Sequence, residues 1–408
     1  MTTAIAAPPT FRQRVATRPL RIAHINANFW AGSGGITLRE MLAVDGERYA
    51  NTILAPADGS LFGRAEEAGL GVIRLHRMGG GRRVYPWADV EAFRELTEHL
   101  RAGQFDLVHT HAGRAGALGR LAARRVGVRA IVHTFHGFPF NEFQSPLMRT
   151  TLRTIERRLA RITDYFLTDG AVVAAEAVRL KLAPPDRIRA LISPIDAVPR
   201  TSGTARREAR RALGLPDDAP VIGTTARLAL QKSPLDLIKA VAALERRDVY
   251  AVWLGDGELR SKAEKLIRKE GLENRFLLPG ARDDARRLLP AFDVFVMSSL
   301  WEGLSCSVVE AMTCGIPVVS TAVNSITDVI VPGKTGLLAR PADPASLSRA
   351  LAYMLDHPAE AARMAKAARL QIGEQFRADL LGQELTEVYE TALRLASAGA
   401  PVTDGTDR

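Results

Sequence analysis

Two glutamates with seven residues between them, Glu302 and Glu310, stand in the most information-dense stretch of the chain, DVFVMSSLWEGLSCSVVEAMTCGIPVVST from Asp293 to Thr321. A carboxylate can stabilise developing positive charge, accept hydrogen bonds or take part in proton transfer. Arg227 and Lys232, in TTARLALQKSPLDLIKA, supply the opposite charge and suit a diphosphate. Four histidines form two pairs, His109 with His111 and His133 with His136. Each feature alone has a plain reading: isolated glutamates and loop lysines are usually solvated, and a histidine at a strand end is usually structural. What they can do together depends on the elements that hold them.

Asp293 to Met297 and Ile316 to Val319 are short β-branched and aromatic runs that read as buried strands, with Ser305 to Cys314 a helix between them. Ser305 is placed to cap that helix, and Gly315 followed by Pro317 to stop it. Glu302 then lies in a loop at the carboxyl end of a parallel strand, where open α/β sheets bind ligands, and Glu310 a turn or more into the helix. The N–H groups of Gly303, Leu304, Ser305 and Cys306 at the helix start favour an anion. Near the N-terminus, the strand Leu20 to Ile25 leads into a small-residue loop, Asn26 to Gly35, in which Gly34 and Gly35 let backbone approach a ligand. GSGG lacks the full spacing of a dinucleotide fingerprint. The histidine pairs end the strands Leu107 to Thr110 and Ala130 to Thr134, at edges expected to face a cleft.

Strands and helices alternate from Leu20 to Asp196, through Thr52 to Ala55, Gly71 to Leu75, Trp87 to Ala102 and Tyr165 to Thr168. They alternate again from Val221, through Tyr250 to Leu254, Phe276 to Leu278 and Pro317 to Ser320. This is an α/β pattern of two parallel-sheet domains with a cleft between them. The expected division is a mobile tail over 1–18, a first domain over 19–198, a linker over 199–208, a second domain over 209–375, a helix over 376–395 and a second tail over 396–408. GGGRR, Gly79 to Arg83, reads as a basic loop. Asp256 and Glu258 in LGDGE read as part of a tight turn rather than as a metal-binding D-x-E. On Pro146 to Ile162, Leu147, Met148, Leu152, Ile155, Leu159 and Ile162 recur at helical spacing amid five arginines. A stripe packed in the core is favoured there by roughly two to one over a basic face resting on anionic lipid.

The stretch S-x-x-E-G-x-x-x-x-x-x-E-A-M-x-x-G-x-P-V-V closely resembles the signature of the family 4 glycosyltransferases. That resemblance implies the GT-B fold, two Rossmann-like α/β/α domains facing a cleft with the C-terminal helix crossing back to the first domain. It implies retaining transfer of a sugar from a nucleotide-sugar, with UDP favoured. Glu302 would lie near the donor sugar, Glu310 would bond the donor ribose, and the amides of Gly303, Leu304 and Ser305 would hold the phosphates. Arg227 and Lys232 match the family's G-R-L-x-x-x-K-G, with Ser233 in place of glycine, and would neutralise the leaving diphosphate. The loop LPGARDD would line the nucleotide base at Gly280 to Arg282. HTFHGFPFNEFQ resembles the acceptor-side motif of bacterial cell-surface polysaccharide members. It implies that His136 contacts the transferred sugar, with Gly137, Asn141, Glu142 and His111 on the acceptor side and Gly34 and Gly35 near the donor. The chain departs from relatives at 168–170, 193–196 and 323–328. The family generally needs no metal, and no cofactor beyond the sugar-nucleotide co-substrate is expected. Epimerisation of a sugar-nucleotide, glycosylation of a soluble secondary metabolite, and inert sugar-nucleotide binding are the competing readings.

Composition sets the remaining bounds. The 408 residues are 47% hydrophobic and 25% charged, within the soluble globular range, and no apolar run reaches membrane-spanning length. A net charge of +10 suggests an anionic partner, and nucleic acid, an anionic membrane surface and phosphorylated substrates all fit; the family resemblance narrows these to a nucleotide-sugar donor, a lipid-linked or small-molecule glycan acceptor and an anionic membrane surface. No nucleic-acid recognition motif accompanies it. The only cysteines, Cys306 and Cys314, are eight residues apart on one helix, about 12 Å and beyond disulfide reach. The expected location is cytoplasmic, against the inner face of the plasma membrane if the basic helix meets lipid.

Overall fold

The computed structural model describes residues 18–30, 32–79, 86–195, 198, 201–376 and 378–398. Of the expected tails, 1–18 and 396–408, residues 1–17 and 399–408 lie outside them, as do the GGRR of the basic loop, Asp196 and the start of the linker. Seven strands form the first sheet: β1 (Leu20–Asn26), β2 (Tyr49–Pro56), β3 (Gly71–Leu75), β4 (Leu107–His111), β5 (Ala130–Phe135), β6 (Tyr165–Thr168) and β7 (Ile188–Ala190). Six form the second: β8 (Val221–Thr225), β9 (Tyr250–Leu254), β10 (Phe276–Gly280), β11 (Val294–Met297), β12 (Val318–Thr321) and β13 (Leu337–Ala339). The spatial orders are β3-β2-β1-β4-β5-β6-β7 and β10-β9-β8-β11-β12-β13, and all paired strands are parallel. Order reverses between β1 and β4 and again between β8 and β11, and at such switch points the loops diverge and leave a crevice.

Buried parallel strands need both faces covered, which accounts for runs such as VFVM and AVWL that are apolar throughout. Two apolar clusters cover the faces of the second sheet, one with Phe295 and Met312 and the other with Trp253 and Leu351. The first sheet has its own, one of them completed by the last helix, Ala378–Ala398: Leu381, Leu385, Val388 and Tyr389 pack with Ile22, Leu107 and Val132. The C-terminal helix therefore does cross back to the first sheet.

Four expectations change. The terminal helix expected over 376–395 is Ala378–Ala398, and a separate helix, Pro358–Gln375, ends just before it. Phe376 packs against the second sheet's core and Leu381 in the first's. The second half of the expected linker is helical: Gly203–Leu213 is capped by Ser202, whose hydroxyl accepts from Ala205 N at 3.1 Å. Gly34 and Gly35 lie in the first turn of the helix Ser33–Ala43 instead of in an open loop. The helix Pro146–Leu159 buries Leu159 but leaves Leu147, Met148 and Ile155 exposed at 78%, 51% and 40%, so its apolar stripe is only partly spent on the core. A buried Arg120–Glu156 ion pair at 2.7 Å fixes it to the helix Gly113–Val126.

Candidate functional site

Lys232 ends a short 3-10 turn beyond β8, and the loop after β11 brings Glu302 to it. Lys232 Nζ donates to Glu302 Oε1, and Ser299 Oγ donates to the same oxygen at 2.5 Å. Asn324 Oδ1 accepts from Glu302 N at 3.1 Å, and Gln231 Nε2 donates to Trp301 O at 3.0 Å. Glu302 is thus buried in a cage of polar contacts, with its backbone as tightly held as its carboxylate. Ser233, where relatives carry glycine, has a φ of 46°, in the left-handed region that explains the glycine. Its hydroxyl donates to Asp236 Oδ2 at 2.7 Å.

Ser305 occupies the cap position of the helix Cys306–Cys314, but its side chain makes no capping bond, so the first N–H groups are not satisfied by it. Glu310 is paired with Arg286, whose Nε donates to Oε1 at 2.7 Å. Arg227 is exposed just beyond β8. The base-loop assignment fits less well. Arg282 donates through Nε and Nη2 to Asp284, both at 2.7 Å, within its own loop, and the Gly280 carbonyl accepts from Gly255 N at 2.8 Å, which ties the end of β10 to the loop after β9.

Across the crevice stands the first sheet. A Cβ on Gly303 would lie 2.8 Å from the His136 carbonyl carbon and oxygen, and one on Gly137 3.3 Å from Gly303 N. His136–Gly137 and Glu302–Gly303 are therefore backbone against backbone, a fit that tolerates no side chain at 303. Phe143 and Trp301 pack ring against ring, tilted by 32° with centroids 5.4 Å apart, and Val172 N donates to Asp328 Oδ2 at 3.2 Å. Asp169 and Asp328, both in segments where the sequence departs from relatives, meet the opposing domain here: a Cβ on Gly303 would also lie 3.1 Å from Asp169 Oδ2.

Several acceptor-side assignments need correction. His111 is wholly buried and meets no acceptor directly. His109 and His133 are equally buried: His109 bonds the Tyr389 hydroxyl at 3.0 Å and Thr134 Oγ1 at 2.7 Å, and His133 bonds Thr110 Oγ1 at 2.8 Å. Alternate residues of one strand share a face, and that face looks into the sheet's covering layer instead of the cleft. Asn141 Oδ1 accepts from Phe143 N at 3.0 Å in a local turn, whereas Glu142 is exposed. Gly34 packs on Asn28 and Phe29, where a Cβ would fall 2.6 Å from a carbonyl oxygen. Gly35 beside it would meet Arg39.

His136 belongs to a chain of polar contacts that sequence reading missed. Its Nδ1 lies 3.0 Å from both Asp169 oxygens and its Nε2 3.2 Å from His111 Nδ1. His111 Nε2 lies 3.2 Å from His24 Nδ1, and His24 Nε2 lies 3.2 Å from Asn51 Oδ1. Burial opposes charge on His136, but the charge and hydrogen bond of Asp169, with Glu40 beyond, outweigh it and raise its pKa. Burial pushes His24 down to about 4, against the Asn51 bond, and holds His109, His111 and His133 well below the usual range. Glu40 is pushed up to about 8, also by burial. His24, Glu40, His109 and His111 bring ligand-type atoms within 4.8 Å of one another. Their imidazole nitrogens are already engaged by side-chain partners, whereas the buried Glu40 Oε2 has none. Asp169 stood out in the sequence only as a departure from relatives, and His24 and Asn51 carried no signal.

Comparison with known proteins agrees with this architecture. Residues 38–192 match the model of the glycosyl transferase 4-like domain, and residues 205–371 that of glycosyl transferases group 1. A 2-deoxystreptamine glucosyltransferase of Streptomyces kanamyceticus is 32% identical over 70% of this chain and 77% of its own length. A UDP-Gal:alpha-D-GlcNAc-diphosphoundecaprenol alpha-1,3-galactosyltransferase of Escherichia coli is 26% identical over 75% and 80%. Among solved structures, Anabaena HepE in complex with UDP-glucose superposes with a TM-score of 0.78 at 20% identity, covering 91% of this chain and all of that one. With these matches over two facing parallel-sheet domains, the chain belongs to the family 4 glycosyltransferases and has their GT-B fold.

Proposed function

We propose that the protein transfers a sugar from a UDP-sugar to an acceptor hydroxyl of a lipid-linked glycan with retention of anomeric configuration. The observation that carries this reading is the grouping of Lys232, Glu302 and the start of the helix Cys306–Cys314 at one edge of the second sheet, directly opposite His136–Gly137. Cations and free amides at a helix start stabilise a departing diphosphate by preorganised charge, which metal-free transfer requires. Arg227 and Lys232 take that role. Glu310, freed from Arg286, accepts from the ribose hydroxyls.

Retention by a covalent intermediate needs a free carboxylate under the anomeric carbon. Glu302 does not suit that task, since Oε1 is held by Lys232 and Ser299. The acceptor hydroxyl instead attacks on the face the diphosphate leaves. The bond from the anomeric carbon to phosphate oxygen breaks, the bond to the acceptor oxygen forms, and the hydroxyl proton passes to the departing phosphate. The two named relatives point to UDP-galactose with a diphosphoundecaprenol-linked acceptor and to an aminocyclitol. The exposed Leu147, Met148 and Ile155 beside Arg157, Arg158 and Arg161 favour the lipid-linked acceptor, because this face suits an anionic membrane surface.

The test is thermal stabilisation and turnover with UDP-, GDP-, ADP- and dTDP-sugars, in the presence of chelator, for the wild type and Glu310→Ala. UDP-sugars are expected to stabilise the wild type, and loss of the ribose bonds to weaken donor affinity about 10- to 100-fold. Stabilisation by no nucleotide would leave inert binding of some other anion. Turnover without any acceptor would point to an epimerase or hydrolase.

A further inference from the structure

The polar chain behind His136 has a direction. Asn51 Nδ2 donates to the Met41 carbonyl at 3.1 Å, in the last turn of the helix Ser33–Ala43, which turns Asn51 Oδ1 toward His24. A carboxamide oxygen only accepts, so His24 Nε2 must carry a proton. A neutral His24 then presents a lone pair at Nδ1, and His111 Nε2 must donate to it. A neutral His111 likewise presents its lone pair at Nδ1, and His136 Nε2 must donate. At the far end the Asp169 carboxylate accepts from His136 Nδ1. Glu40 Oε2, 3.9 Å from His111 Nδ1, is too distant to replace His136 as donor. Each link is forced by the one before it, and the surplus proton falls on the last ring.

We infer that Asn51, His24 and His111 form a one-way hydrogen-bond relay that leaves His136 protonated on both ring nitrogens, a fixed imidazolium between Asp169 and the cleft. His136 then works by charge and position and cannot serve as the base that deprotonates an acceptor, since neither ring nitrogen has a lone pair. The cation lies against the Glu302–Gly303 segment, where the proposed anionic donor would sit; this consequence rests on the transferase reading, whereas the protonation states do not. The relay assigns function to three buried residues that meet no substrate: Asn51, His24 and His111 are positioning residues. Of the groups facing His136, Asp169 comes from the loop after β6, Glu40 from the helix Ser33–Ala43, His111 from β4, and His24 lies behind on β1. Because burial pushes Glu40 up to about 8, Asp169 is the counter-charge near neutral pH. Burial also disfavours charge on His24 and His111, which keeps the surplus proton at His136.

The experiment is histidine-selective ¹⁵N NMR on the full chain without ligand, with His136 assigned by the signals lost in His136→Gln. Two-bond ring correlations report which nitrogens carry protons. At pH 7 the expected pattern is His136 with both protonated and His24 and His111 as neutral Nε2–H tautomers. A neutral His136, or an Nδ1–H tautomer at His24 or His111, overturns the relay. Asn51→Leu removes the acceptor at its origin and lets the chain run in reverse, so His136 should lose its surplus proton and its titration move down by about one pH unit or more, a tenfold change in proton affinity. A folded Asn51→Leu protein with unchanged His136 titration also overturns the relay. So does one equivalent of bound zinc in the purified protein, since a metal on His24 and His111 would use the lone pairs the relay needs. With a donor identified, Asn51→Leu should lower kcat/KM about tenfold and move the alkaline limb of its pH profile down by about one pH unit; a missing donor would leave the NMR result standing.

Discussion

At the residue scale, the chemistry depends on how closely two backbones approach. Gly303 is fixed less by its own conformation than by the His136 carbonyl, which a Cβ would meet at 2.8 Å. Gly303→Ala must push the two domains apart at this loop. Overpacking of this kind costs about 1–3 kcal/mol where the neighbours cannot yield, and here the neighbour is main chain. The expected result is a melting temperature lower by a few degrees. Turnover should fall at least about tenfold, because a small misplacement at reacting groups is expensive. Unchanged turnover would show that this closed contact is not the arrangement in which transfer occurs. Lys232 and Glu302 make the same point from the other side: each looked like a solvated loop residue in isolation, and each is held by the other.

At the scale of elements, the helix Pro146–Leu159 shows how one periodic pattern can serve two surroundings. Its start is local chemistry, with Pro146 at the first position and Ser145 Oγ accepting from Met148 N at 3.3 Å. Glu156 and Leu159 anchor it, while Leu147 and Met148 stay in solvent beside the basic side chains. Leu147→Asp with Met148→Asp should leave the melting temperature within about a degree, since neither side chain is buried. Co-sedimentation with phosphatidylglycerol vesicles should fall more than about tenfold, as two apolar side chains no longer enter the bilayer surface. Equal vesicle binding by variant and wild type would sink the membrane reading of this helix. Binding that resists high salt would argue against the basic side chains as the attraction.

At the scale of the whole molecule, the buried histidines link folding to pH. His24, held near 4, and His109, His111 and His133, held below the usual 6.5, bind fewer protons folded than unfolded. Their contribution is complete above that ordinary value and is lost as pH falls below it, by up to about 1.4 kcal/mol per pH unit for each histidine. His136 and Glu40 have the opposite sign. Their folded values are raised, Glu40's to about 8, so the stability they contribute is present at lower pH and lost as pH rises through those values. Urea unfolding should therefore show greatest stability near neutral pH and a steep acid limb between about pH 6.5 and 4. A flat limb there would mean that these histidines are not held neutral. Tyr389 ties the same network to the C-terminal helix through His109, so the helix that joins the two domains also closes the layer over the histidines.

Much of this protein was legible in local pattern. Apolar runs of strand length, the 3.6-residue stripe of the helices, and glycine or proline at their ends are consequences of backbone geometry, and they give the two α/β units directly. Glu302, the helix start and Glu310 fall within nine residues, so their placement on one strand-loop-helix unit needed no tertiary information. The tertiary structure alone decided which distant groups meet. His24 reaches His111 because β1 pairs with β4 in parallel, in a register that sets His24 beside His109 and Asn26 beside His111. Arg286 reaches Glu310, and Gly303 meets His136, by the same kind of crossing. Parallel pairing and domain closure join residues tens to hundreds of positions apart, and no local period records the register or which of two exposed loops will face the other.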